Sequence, residues 1–116
     1  DTITALHICG DVNPFVEDVI EIDVDILDHE FADNPSLYDT YEDIDFSQRM
    51  SVGVVNTDSR VESIDEIKTR INKAYEIFGA NCMIDPDCGL KDIDFESAKS
   101  KLENMVQARD RFLEEI

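Results

Sequence analysis

Basic side chains are scarce: ten Lys and Arg stand against 28 Asp and Glu, a formal charge of −18 over 116 residues. Such a surface repels phosphate backbones and anionic lipid, which argues against nucleic acid as a partner and leaves solvation as the plain use of the excess. No apolar run of about 18 residues occurs, so no membrane span is expected. Cysteine is also sparse. Three of them, an odd number, do not build a disulfide framework. With no basic and apolar leader in front of them, free thiols of this kind fit a reducing cytoplasm. The chain does not begin with Met and a strand pattern starts almost at once, so a piece of a longer protein is expected. Its length suits one domain, residues 1–116, with a single core.

The apolar pattern alternates between two periods. Strands are expected over residues 3–8, 24–29, 50–55 and 81–84, the third as a continuous apolar run of the kind found in parallel sheets. Asn13-Pro14 and Asn34-Pro35 each offer a cap followed by Pro, which predicts two short helices with apolar faces at Phe15, Val16, Val19 and Ile20 and at Leu37, Tyr38 and Tyr41. Ser63-Ile64-Asp65-Glu66 reads as a capping box, followed by Ile64, Ile67, Ile71, Ala74 and Phe78 at helical spacing and a stop at Gly79. Asp94 can cap a last helix whose stripe is Phe95, Ala98, Leu102, Met105, Val106, Phe112 and Leu113. Strand-helix four times over predicts βαβ units and a parallel sheet, half of a TIM-type (β/α)₈ barrel.

Two short strings carry chemistry: His7-Ile8-Cys9, and Asp85-Pro86-Asp87-Cys88-Gly89-Leu90-Lys91. Between them lies Asp28-His29-Glu30. Imidazole, two thiolates and a carboxylate are a set of donors that zinc accepts. Residues two apart on a strand share a face, so His7 and Cys9 point the same way, and only one of His29 and Glu30 can join them. All these groups fall at or just past strand ends, the rim at which barrels of this type gather their active sites. Cys82 falls within a strand and reads as a small buried hydrophobe. The run from Asp85 to Glu96 imitates a calcium loop, but Gly89 stands at position five where that loop needs six, and a strand precedes it.

Leu6-His7-Ile8-Cys9-Gly10, the strand end Ile26 to Glu30, and Pro86-Asp87-Cys88-Gly89-Leu90-Lys91 together resemble the C-terminal half of the cobalamin-independent-type methionine synthase barrel. Asn104-Met105-Val106-Gln107-Ala108 in the last helix resembles the same family, so the likeness covers nearly the whole chain. The resemblance implies a Zn²⁺ ion on His7, Cys9, Glu30 and Cys88, with Glu30 the ligand that yields its place. It implies homocysteine as substrate, its thiol deprotonated on the metal before it attacks a methyl group. The methylfolate-using members carry a Tyr-Asp-x-His-Ser segment after the third of these strands; here Val55-Asn56-Thr57-Asp58-Ser59 replaces it, with Asp58 in the place of the His. This departure favours the short archaeal-type members and a methylcorrinoid over a methylfolate donor. Methylcobalamin:coenzyme M methyltransferases share the Leu-His-Ile-Cys-Gly string and are the sister reading; a non-enzymatic zinc-binding fragment is the rival of another class. The family's homocysteine-positioning groups lie largely in the other barrel half, so no catalytic side chain beyond the metal ligands is assigned here. Two exposed sheet edges then predict a complementary half, or self-association, as partner.

Overall fold

The computed structural model describes residues 1–116. Four strands, β1 (Ala5–Ile8), β2 (Ile26–His29), β3 (Arg49–Val55) and β4 (Met83–Pro86), form one parallel sheet in the order β1-β2-β3-β4. Helices α1 (Val16–Val19), α2 (Ser36–Glu42), α3 (Ile64–Phe78) and α4 (Phe95–Glu115) follow the strands in turn. This is the expected α/β half barrel. No helix is long and apolar enough to cross a membrane.

The pleat sorts the sheet into two unlike faces. Leu27, Met50, Val52 and Val54 lie against the helices and are buried. On the other face the pairing aligns His7 with Asp28, Asp28 with Ser51, and Gly53 with Asp85. One face is an aliphatic floor for helices; the other is polar and open. His29 points to the helix side, where it is fully buried beside Phe31 and Tyr41, as the alternation requires.

The expected side-chain caps form at two helices and are missing at the other two. Ser63 accepts a hydrogen bond from the Glu66 amide at 3.1 Å, and Asp94 accepts one from Ser97 at 3.0 Å, as capping predicts. The Glu66 carboxylate does not complete a reciprocal box, because Arg60 and Arg70 hold it. Neither Asn-Pro pair supplies a side-chain cap. Asn13 instead bonds Asp11 and Ser36, and Asn34 donates to the Glu30 carbonyl. Pro14 sits in a 3-10 turn, Asn13–Phe15, leaving α1 only four residues.

β4 begins two residues later than expected. Gly79, at φ 75, closes α3 in the left-handed region and opens a 3-10 turn over Gly79–Asn81, so Cys82 precedes the strand instead of lying in it. Cys82 still packs against the core. The stripe on α4 also divides. Ala108 and Phe112 are buried, whereas Phe95, Leu102, Val106 and Leu113 are exposed, because α3 and β3 cover one side of this helix and nothing covers the other.

What fixes α4 is largely polar. Lys101 and Glu62 are both fully buried, with Nζ 2.7 Å from Oε1. Lys101 also donates to the Asn56 carbonyl, and Glu62 accepts from the Asn56 amide and from Arg70. Burial alone would push the Glu62 carboxyl up, but Lys101, the Asn56 amide and Arg70 outweigh it and hold it below its ordinary 4.5. Its contribution to stability is therefore complete above that value and disappears as the pH falls through the lower folded one. Lys101→Ala, which strands a buried carboxylate, is expected to destabilise the fold by about 3–5 kcal/mol in urea unfolding at pH 7. The same variant should differ much less from the parent under acid conditions that protonate Glu62.

Candidate metal centre

β1 carries His7 to the C-terminal rim of the sheet, and Cys9 follows one residue beyond the strand. Cys88 arrives from the turn after β4. His7 Nε2 lies 3.3 Å from Cys9 Sγ, and Cys9 Sγ lies 3.4 Å from Cys88 Sγ. One donor atom from each of the three falls within 4.8 Å of the others, although 79 residues separate the two cysteines. A shallow cavity of about 270 Å³ opens beside them, lined by His7, Asp28, Asp85, Pro86, Cys88 and Gly89.

The other side of the imidazole is tied down. His7 Nδ1 is 2.8 Å from Asp28 Oδ2, on the residue directly across the strand pair. An acceptor there places the hydrogen on Nδ1 and leaves the Nε2 lone pair facing the sulfurs, the arrangement in which a histidine binds a metal. The two thiols are shifted in opposite directions. A hydrogen bond from Cys9, then the Gly89 amide and His7, pull Cys88 below the usual thiol range; accepting that role pushes Cys9 up.

These three donors fit a tetrahedral ion closely. Zn–S near 2.3 Å and Zn–N near 2.05 Å place adjacent sulfurs ~3.8 Å apart and sulfur and nitrogen ~3.6 Å apart. The observed 3.4 and 3.3 Å need only a few tenths of an ångström of spreading.

Glu30, the fourth expected ligand, stands just past β2 but is not one of the three gathered donors. Its Oε2 accepts the amide hydrogen of Gly10, the residue after Cys9. Gly10 lies at φ 83, a conformation glycine adopts without strain. His29, the alternative at this strand end, is remote from the sulfurs in direction: Nε2 meets the Tyr41 hydroxyl at 2.7 Å, and burial lowers the ring's pKa to about 4, so it is neutral at pH 7. Asp58 is on the exposed loop after β3, where Oδ1 accepts from the Arg60 amide and lies 3.5 Å from Lys101 Nζ. The acidic run from Asp85 does not converge as a calcium loop would. Asp87 turns toward the amides of Ala32 and Asp33, and Asp94 toward Ser97.

Three acidic groups near the centre lie in the strings quoted from the sequence but were given no part in the zinc site there. Besides Asp28, these are Asp85 and Asp87. Burial pushes Asp28 and Asp85 both upward, aided at Asp28 by the charges of Asp87 and Glu30 and at Asp85 by Asp28, and each keeps a buried Oδ1 with no hydrogen-bond partner. Burial raises Asp87 to about 7 against the opposing pull of the Ala32 and Asp33 amides. Strand alternation was the available signal: once His7 is placed on the open face, Asp28 and Asp85 follow by register.

Comparison with known proteins identifies the family. The family model described as the catalytic domain of cobalamin-independent synthase matches residues 1–111. The methionine synthase of Methanothermobacter thermautotrophicus is 40% identical over 111 residues, covering 93% of this chain and 36% of that protein. That of Methanocaldococcus jannaschii is 37% identical over 115 residues, covering 90% and 37%. The chloroplastic 5-methyltetrahydropteroyltriglutamate–homocysteine methyltransferase 3 of Arabidopsis thaliana is 31% identical, covering 88% of this chain and 13% of its own. In fold, the B12-independent methionine synthase of Shewanella sp. W3-18-1, solved with selenomethionine, superimposes with a TM-score of 0.76 at 16% identity, over 99% of this chain and 40% of that one. The chain thus spans little more than a third of the methanogen relatives it matches. It belongs to the cobalamin-independent methionine synthase family and corresponds to part of that family's catalytic domain.

Proposed function

We propose that this chain contributes the thiol-activating zinc centre of a methionine synthase, which moves a methyl group onto the sulfur of homocysteine in a reducing cytoplasm. The observation that carries this reading is the meeting of His7 Nε2, Cys9 Sγ and Cys88 Sγ at the rim. His7, Cys9 and Cys88 would hold the ion, and Glu30 would complete the set by releasing the Gly10 amide. When bound, zinc supplies a cation that keeps the substrate thiol deprotonated at neutral pH.

The side chains set how well that thiolate reacts. Two cysteine sulfurs make the centre electron-rich, so the substrate sulfur remains nucleophilic. Asp28 keeps the His7 ring in its binding tautomer. Glu30, whose carboxylate already has an alternative partner in Gly10, is the ligand able to step aside for homocysteine. The sulfur lone pair then forms the new S–CH₃ bond while the electrons of the old bond leave with the donor. Asp58 in place of a proton-shuttling His supports a methylcorrinoid donor, because an ordinary carboxyl titrates far below the pH at which an imidazole exchanges protons.

The open polar face and both sheet edges require cover in the working protein. That cover is the rest of a barrel, supplied by the same polypeptide or by another chain. Produced alone at 116 residues, the chain is expected to self-associate through its unpaired edges in analytical ultracentrifugation; a stable 13.2 kDa monomer would contradict this.

Activity decides between the readings. The full-length protein should form methionine from homocysteine with methylcobalamin, poorly with 5-methyltetrahydrofolate, and not from coenzyme M in place of homocysteine. Cys88→Ala should abolish this turnover. Tight zinc binding without turnover on any of these substrates would instead favour a non-enzymatic metal fragment. X-ray absorption at the zinc edge should count two sulfur neighbours in the free protein and three once homocysteine is added.

A further inference from the structure

Asp87 precedes Cys88 and is 1% exposed, yet it makes no contact with the thiols. Its amide donates to the Val55 carbonyl at 2.8 Å, fastening the end of β4 to β3. Its side chain passes over β3 altogether. Oδ1 accepts from the Ala32 amide at 3.0 Å and Oδ2 from the Asp33 amide at 2.9 Å, both in the turn that follows Glu30. One carboxylate therefore joins the segment bearing Cys88 to the segment bearing Glu30 across an intervening strand.

The passage exists because position 53 of that strand has no side chain. A Cβ on Gly53 would collide with Asp87 Oδ1 and sit 2.9 Å from its Cα and 3.0 Å from its Cγ. Gly53 is not in the left-handed region, since only Gly10 and Gly79 have positive φ. Steric room, not backbone conformation, is what this glycine provides.

We propose that Asp87 and Gly53 form a positioning brace that sets Cys88 and Glu30 at the spacing the metal centre needs. The assignment of a metal rests on the function proposed above; the brace itself rests on the bonds just described. Two parallel amide donors call for two acceptor oxygens. Asn at 87 keeps the shape but turns an NH₂ against one of the two N–H groups, so one bond is lost and a donor–donor repulsion replaces it.

The test uses the full-length protein with Asp87→Asn, Asp87→Ala, Gly53→Ala and the double variant Gly53→Ala/Asp87→Ala, the last compared with its own two single variants. Zinc affinity is measured by chelator competition, and the pairing of Cys9 with Cys88 by the rate of capture of phenylarsine oxide, a trivalent arsenical that needs two adjacent thiols, in metal-free protein. Asp87→Asn and Gly53→Ala should each weaken zinc binding about 10- to 100-fold and slow arsenical capture. Cobalt(II) spectra should show altered thiolate charge-transfer bands. The double variant should lose less than the product of the single losses, because the collision with Oδ1 is gone. Retention of parental arsenical capture by Asp87→Asn, the shape-preserving variant, overturns the brace. Loss of capture in a protein that binds no zinc even in its parental form sustains the brace and overturns the zinc assignment.

Discussion

Because β1 through β4 pair in parallel and in chain order, every strand delivers its last residue to the same rim, and His7, Asp28 and Ser51 fall into one row. That register is what turns four separated segments into a chemical neighbourhood. A slip by one residue on β2 would send Asp28 to the helix face and bring His29 forward, exchanging an anion that orients His7 for a second imidazole. The helices have little to do with the donors directly. They hold the register by burying Leu27, Val52 and Val54, and the rim chemistry follows from it.

The rim combines the three donors with a concentration of partly hidden carboxyls. Burial is the largest cause that holds Asp28, Asp85 and Asp87 above the ordinary carboxyl range, with the charges of Asp87 and Glu30 adding to it at Asp28, that of Asp28 at Asp85, and those of Glu30 and Asp33 at Asp87. The His7–Asp28 bond also shows why an anion next to a ligand is useful: it chooses the tautomer, which the sulfurs alone cannot do.

Much of this was legible in the residues. Period two and period 3.6 alternated clearly, so the four βα units and the α3 core positions Ile67, Ile71 and Ala74 emerged from pattern alone. The three meeting donors were legible because chemistry and strand ends coincided. Glu30 was less so: it stands just past β2 as expected, yet its carboxylate takes the Gly10 amide and is not among the gathered donors, an outcome set by a backbone turn that no side-chain pattern encodes. The Asn-Pro pairs failed as caps since other neighbours hold their side chains: the Thr40 hydroxyl donates to Asn13 Oδ1, the atom a cap would use, and Asn34 is turned to donate to the Glu30 carbonyl. Lys101 lay outside the α4 stripe that apolar spacing picks out, yet it is buried more deeply than Leu102 or Val106. Hydrophobic periodicity has no means of registering a charge whose partner lies 39 positions earlier.

That buried ammonium gives the last helix an unusual standing. Most terminal helices are seated by grease and can slide or roll until a neighbour arrives. Here a directional polar latch, inserted beneath the loop after β3, sets α4 in rotation and height before its outer apolar ridge of Leu102, Val106 and Leu113 has met anything. The ridge is thus held at a set angle on the outer side of the helix by a buried ion pair.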